Sequence, residues 1–318
     1  MAIERRKVTD HLEKPYRREE QGKPGKEEWV AKARRIEQLG YSILLVPDHL
    51  GKQLAPVPAI LAAVEATRSL RVGSYVFAND FRHPVMLAKE AATLDVLSDG
   101  RFELGIGAGY LRSEYEQAGI SYDSANVRVS RLEESVQIVK GLFDEEPLTF
   151  SSTFYTVNNL DGFPKPVQRP HPPLLIGGAG KRLLTLAGRE ANIVSIGARA
   201  QGDGSGLDVT DTTPAATRQK VEWIRRAAGE RFNQLELNMI MYAVVVTGDR
   251  RQTAQQLAGR FKTTDEHVLT IPHCLIGTLD QISEDVQRRR EQYGISYLAV
   301  FDEHSEAFAP VVARLAGT

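Results

Sequence analysis

Residues 71–110, RVGSYVFANDFRHPVMLAKEAATLDVLSDGRFELGIGAGY, decide the fold. The stretch 71–77 (RVGSYVF) reads as a strand. Pro84 stands where the first turn of a helix tolerates proline, and that helix runs to about Leu97. Asp99-Gly100 then turns the chain into a second strand, 101–106 (RFELGI). The strands are runs rather than polar–apolar alternations. A strand apolar on both faces, joined to the next by a helix, marks a parallel sheet covered on both sides.

The same alternation extends in both directions. Trp29, Val30, Ala33, Ile36 and Leu39 have helical spacing, and Gly40 ends that helix. Strands are expected at 43–46, 174–176, 192–196, 235–246 and 297–301. Helices are expected over about 58–68, 124–143, 181–189, 214–230, 250–262, 279–293 and 306–315. The Gly-, Asp- and Thr-rich stretch 201–213 reads as a mobile loop. Seven strands follow residue 28, and eight close a β/α barrel. The eighth should precede the first helix, yet residues 1–28 are dense in Arg, Lys and Glu and hold no apolar run. They read as a charged N-terminal arm ahead of a barrel domain at 29–318. An open doubly wound sheet, which needs no closure, is the runner-up.

Composition narrows the function classes. Forty Lys+Arg against 41 Asp+Glu leave a net charge of −1, so no basic excess points to nucleic acid. One cysteine, Cys274, excludes an intrachain disulfide and a multi-cysteine metal cluster. No run of about 18 apolar residues spans a membrane, and a charged start lacks the signature of a signal peptide. A cytoplasmic protein acting on a small molecule, with no metal site, is the expectation.

In parallel α/β folds ligands bind beyond the carboxyl ends of the strands. After 43–46 come Asp48 and His49, a pair able to move protons or bind a polar ring edge, or else a turn cap and a pocket wall. After 71–77 come Asn79, suited to a heterocycle edge, and Asp80 with Arg82, readable as an ion pair that orients the loop. Gly105, Gly107 and Gly109 alternate, which allows backbone to approach a ligand or a neighbouring strand. The run IGGAGKR (176–182) places glycines before a helix with Lys181 and Arg182 in its first turn, a setting that suits phosphate. It lacks the spacing of a nucleoside triphosphate loop.

Taken together, GYSILLVPDHL (40–50), the long stretch 72–110, LLIGGAGKRLLTLAGREANIVSIG (174–197) and the tail from CLIGTLDQI to FAPVVARLAG resemble the bacterial luciferase-like superfamily of flavin- and deazaflavin-dependent oxidoreductases. The likeness covers about 29–317 and leans toward the users of the deazaflavin coenzyme F420. It implies a (β/α)8 TIM-type barrel with an insertion segment, a cofactor across the mouth, and a non-proline cis peptide at Tyr75-Val76 or Ser74-Tyr75 behind its central ring. It puts the acid–histidine position on Asp48 and His49, and the phosphate loop on Gly177, Gly178, Ala179 and Gly180, with Ser195 and Ile196 beside it. A homodimer is implied by analogy alone.

The resemblance has two departures: the family's first strand is not legible, and Tyr110 stands where its sugar-phosphate dehydrogenases carry a glutamate proton donor. The expected activity is hydride transfer between F420 and a small C=C, C=N or C=O substrate. His49 is the first candidate for the proton donor, Asp48 tunes it or bonds the ring, and Tyr110 and Tyr115 follow. Asp48, Ser74, Tyr75, Val76, Asn79, Gly107, Gly109, residues 177–182, Ser195 and Ile196 are expected to line the cofactor. An FMN-dependent monooxygenase is the alternative, and a degenerate, non-catalytic barrel is the second.

Overall fold

The computed structural model describes residues 7–11, 25–204 and 206–316. Eight strands form the barrel: β1 (Lys7–His11), β2 (Ile43–Val46), β3 (Arg71–Ser74), β4 (Phe102–Gly107), β5 (Leu174–Gly178), β6 (Ile193–Ile196), β7 (Glu236–Met241) and β8 (Ile295–Phe301). All pair in parallel with their neighbours. Val72 and Gly73 of β3 lie beside Phe102 and Glu103 of β4, while β1 lies between β2 and β8, so the ring is closed. The barrel expectation therefore holds and the open sheet is set aside.

The strand missing from the sequence reading is β1, inside the stretch taken for a strandless arm. Thr9 registers with both Ile43 and Ala299. Residues 25–28 of that arm cap and open the first helix, and 1–6 and 12–24 lie outside the described residues.

Alternate residues of β2, β5, β6 and β8 serve two cores, which explains their continuous apolar runs. Ile43, Leu45, Leu175, Ile193 and Tyr297 pack inside the barrel with Tyr75 and Val76. Leu44, Val46, Ile176, Val194 and Ile196 pack outward in the main core, which also holds Ile36, Ala63, Leu87 and Leu184 of the surrounding helices. Truncating such a buried leucine to alanine costs about 2–5 kcal/mol. Among those helices are α1 (Lys26–Gln38), α2 (Pro56–Ala66), α3 (Pro84–Leu97), α4 (Arg112–Ala118), α5 (Ala125–Phe143), α6 (Lys181–Glu190) and α7 (Pro214–Ala228). Gly40 takes a φ of +82° where α1 stops, a conformation that glycine adopts without steric cost.

Three regions depart from the sequence reading. The single strand expected over 235–246 is divided: β7 stays in the barrel, and Ala243–Val246 pairs outside it with Cys274–Gly277. That pair, with the helices Arg250–Phe261 and Asp265–Thr270, forms a small core of its own around Ala243, Leu257, Val268 and Ile276. Buried Arg289, from the helix Leu279–Tyr293, ties it down by donating to the carbonyls of Pro272 and Cys274. Second, an unforeseen hairpin joins Leu148–Ser151 to Thr156–Leu160, its turn held by the Glu134 carboxylate, which accepts from the amides of Thr153, Phe154 and Tyr155. Third, the expected mobile loop is a short hairpin, Arg199–Ala200 against Leu207–Asp208, followed by a 3-10 turn. No helix among the described residues is long and apolar enough to cross a membrane.

Candidate active site at the barrel mouth

At the end of β3 the Tyr75–Val76 peptide is cis, the first of the two bonds expected. Ser74 is buried, and its hydroxyl donates to the Gly105 carbonyl at 2.8 Å and accepts from the Gly105 amide at 2.9 Å. A Cβ on Gly105 would fall 2.0 Å from the Ser74 carbonyl oxygen, and one on Gly107 would fall 2.7 Å from a Val76 methyl. Gly105 and Gly107 thus make room for the backbone and side chain at the end of β3. Gly109 answers to another neighbour: its Cβ would fall 1.9 Å from the Tyr115 hydroxyl. Inside the barrel the Tyr75 hydroxyl donates to Asn238 Oδ1 at 2.8 Å and accepts from the Ser195 hydroxyl at 2.5 Å. Burial pushes the Tyr75 phenol far above its ordinary value, so it stays protonated.

On the β2 rim, Asp48 and His49 do not form the expected couple. Both Asp48 oxygens accept from Arg82, at 2.6 and 3.1 Å, and one also accepts from the Ala78 amide at 2.9 Å. Asp48 therefore braces the loop after β3 and has no oxygen directed at His49. The imagined Asp80–Arg82 pair is replaced as well: Asp80 is held by Arg131 at 2.8 Å and by the Tyr115 hydroxyl at 3.1 Å. Tyr115 is buried and structural. Asn79 is buried too, with only long contacts to Asp80 and Tyr155.

His49 has a different partner. Its Nδ1 lies 3.1 and 3.0 Å from the two oxygens of Glu114, in the first turn of α4, and the Leu50 amide donates to the same carboxylate at 3.0 Å. The imidazole is partly open to the mouth, and no described residue hydrogen-bonds its Nε2. Tyr110 closes one side, its ring edge-on to His49 at 5.8 Å. Burial first, then the Glu114 charge, pushes the Tyr110 phenol up to about 12, so it is uncharged near neutral pH.

On the β5 rim, Gly178 yields to Leu183, whose Cδ2 lies 2.2 Å from where a Cβ would stand, while Gly180 faces open space. Gly180 is the N-cap of α6 and offers no side-chain cap; the first intrahelical bond is Leu184 N–H to Gly180 O at 2.9 Å. The amides of the first turn are consequently without a partner in the helix, a setting suited to an anion. Ala179 is buried behind them and exposed Lys181 stands beside them. Arg182 does not assist, because its guanidinium donates to Asn126 O at 2.7 Å and Ser130 Oγ at 2.6 Å on α5. Ile196 has no exposed surface and packs in the outer core, away from the mouth.

The hairpin Arg199–Ala200/Leu207–Asp208 follows the end of β6. The Arg112 amide of α4 donates to the carbonyl of Gly204 at its tip, at 3.1 Å. Its base is fixed by buried Lys220, which binds the Asp211 carboxylate at 2.7 Å and the Gly197 carbonyl at 2.9 Å.

The family profile described as luciferase-like monooxygenase matches residues 11–311. The chain belongs to that family. Over 163 residues it is 31% identical to an F420-dependent glucose-6-phosphate dehydrogenase of Microbacterium testaceum (strain StLB037), covering 49% of this chain and 48% of that protein. Over 128 residues it is 30% identical to an FMNH(2)-dependent dimethylsulfone monooxygenase of Pseudomonas putida, covering 40% and 35%. The match to these two relatives thus spans half or less of their length. The fold matches a coenzyme F420-dependent tetrahydromethanopterin reductase of Methanopyrus kandleri, with a TM-score of 0.75, 15% identity and 98% of each chain covered.

Glu114 and Asn238 were not singled out in the sequence, and Arg82 was read there as the partner of Asp80 rather than of Asp48. The usable signal for Glu114 was its place four residues after Tyr110, in the first turn of the helix that opens at the β4 rim.

Proposed function

We propose that this chain is an F420-dependent oxidoreductase acting on a small organic C=C, C=N or C=O compound. The observation that carries the reading is the pairing, across one barrel mouth, of an uncapped helix N-terminus opening on free space at Gly180 with an imidazole whose Nε2 is unengaged. Amides of the first turn of α6 would hold the anionic tail, with Lys181 adding charge. When bound, the deazaflavin supplies or accepts a hydride at C5. His49 Nε2 delivers or takes the accompanying proton, and Tyr110 and the 199–208 hairpin limit access of water. The F420 assignment is supported by the relatives that use this coenzyme. Tyr110 in place of a glutamate speaks against a sugar phosphate as substrate.

A monooxygenase using reduced FMN is the second reading, favoured by the dimethylsulfone monooxygenase relative. The non-catalytic barrel loses its ground because β1 completes the ring. Fluorescence titration of the purified chain with F420 and with FMN, followed by anaerobic turnover, separates the readings. Saturable F420 binding with turnover in the absence of oxygen is expected. Binding of FMN alone, with oxygen consumption, would replace this proposal by the second reading. Neither cofactor binding to a folded chain would end both.

A further inference from the structure

We infer that Glu114 is the positioning residue of His49: it fixes the imidazole in the Nδ1–H tautomer and so presents Nε2 as a bare acceptor to the barrel mouth. The inference rests on the reading of His49 as the proton-handling group, and it concerns a residue that no motif marks.

The geometry admits one assignment of the shared hydrogen. Both Glu114 oxygens lie within 3.1 Å of Nδ1, and the Leu50 amide points its own hydrogen at one of them. A carboxylate offers only acceptors, so Nδ1 must be the donor. In a neutral imidazole the other nitrogen is then an acceptor, and the partner of one nitrogen decides the role of the other. Glu114 is nearly sealed from solvent, with 8% of its surface exposed. Water therefore competes poorly for its lone pairs, and in such surroundings a hydrogen bond is electrostatically stronger than in water.

The surroundings support the same role. Glu114 is carried on α4, whose first amide, that of Arg112, is fastened to the 199–208 hairpin at Gly204. Tyr110 sits edge-on to the imidazole and narrows its freedom to turn. Asp48, adjacent in sequence, is saturated by Arg82 and the Ala78 amide and does not compete for the ring. Glu114 also stands four residues after Tyr110, in the first turn of α4. A carboxylate is thus retained near the proton-handling site, but it acts through the histidine rather than on the substrate.

The test needs neither cofactor nor substrate. The full chain is labelled with 15N-histidine, and the two-bond 1H–15N pattern of His49 is read in alkaline buffer, on the neutral ring. The wild type is expected to show the Nδ1–H form. E114Q keeps an amide oxygen able to accept from Nδ1 and should retain it. E114A removes every acceptor and should lose it in favour of the Nε2–H form; E114M, close in volume and equally without a strong acceptor, replaces E114A if that variant does not fold. An Nε2–H wild type, or an Nδ1–H form that persists in E114A or E114M, overturns the assignment. If the tautomer behaves as stated while H49A leaves turnover unchanged, the positioning role stands and the proton-donor reading falls.

Discussion

On the β2 rim of the mouth, Asp48 is held by a side chain 34 positions away and His49 by one 65 positions away. On the β5 rim the candidate groups are the backbone amides at the start of α6, which the local geometry of residues 176–182 supplies. The difference teaches where precision is invested. On the proposed reading a proton is handled at one atom, and the imidazole is held by a carboxylate from another element. An anionic tail would be a more diffuse target, for which a helix end suffices. The rim built from side chains should fail abruptly when a member is removed, and the rim built from backbone should weaken by degrees.

The strongest test of that contrast is H49A. Loss of a general acid–base group typically costs about 100-fold or more in turnover, whereas F420 affinity should stay within about 2-fold, since an anionic tail interacts with a helix end at the opposite rim. Steady-state kinetics and fluorescence titration read the two effects. A loss of affinity equal to the loss of turnover would erase the division between the rims.

Gly105 lies between the two rims. In G105A the new methyl would stand 2.0 Å from the Ser74 carbonyl, which belongs to backbone and cannot swing aside. Overpacking of this kind costs about 1–3 kcal/mol, to be read by urea unfolding. A variant as stable as the wild type would show that the close approach of β3 and β4 is not required.

A second histidine sharpens the comparison. His273 is stacked on Tyr242, whose hydroxyl accepts from the Ala198 amide beyond β6. Burial drives its imidazole down to about 3, so it is held neutral without a carboxylate. Its folded value lies below the unfolded one, so the unfolded chain takes up the proton first as pH falls. Its contribution to stability is complete above about 6.5 and is lost progressively toward pH 3. At pH 4.5 the loss should be about 2–3 kcal/mol, and H273Q should lack that part of the acid sensitivity. Urea unfolding of both proteins at pH 7 and pH 4.5 decides, and equal pH dependence would refute it.

The smallest effect is expected at the backbone rim. Lys181 is exposed, and an exposed ion pair contributes about 0.2–1 kcal/mol. K181A should therefore weaken F420 binding by no more than about 5-fold with no change in unfolding midpoint. A 100-fold loss would mean that this side chain, rather than the amides, is the main anchor.

What could be read from the chain followed locality. The run ILLV at 43–46 declared a strand because it is apolar on both faces, and helix 279–293 was bounded correctly because Thr278 and Gly294 are strong local stop signals. KVTDH at 7–11 was passed over because it has a single apolar residue among five and its partners, β2 and β8, are distant in sequence. Adjacency misled at Asp80 and Arg82, whose real partners come from α5 and the β2 rim. The alternating glycines were legible as close approach, but the approaching atoms belong to Ser74 and Val76. Glu114 went unread for the same reason as β1: its meaning exists only once residues 65 apart are brought together.

The hairpin at 199–208 has two abutments of unequal strength. Lys220 pins one with a buried ion pair, while at the other the Arg112 amide of α4 donates to the Gly204 carbonyl, which packs beside Tyr122. A backbone hydrogen bond of that kind contributes about 1 kcal/mol. On the proposed reading, a molecule seated at the start of α6 would lie under a span moored at both ends, and its dwell time would be governed by how often the Gly204 end lets go.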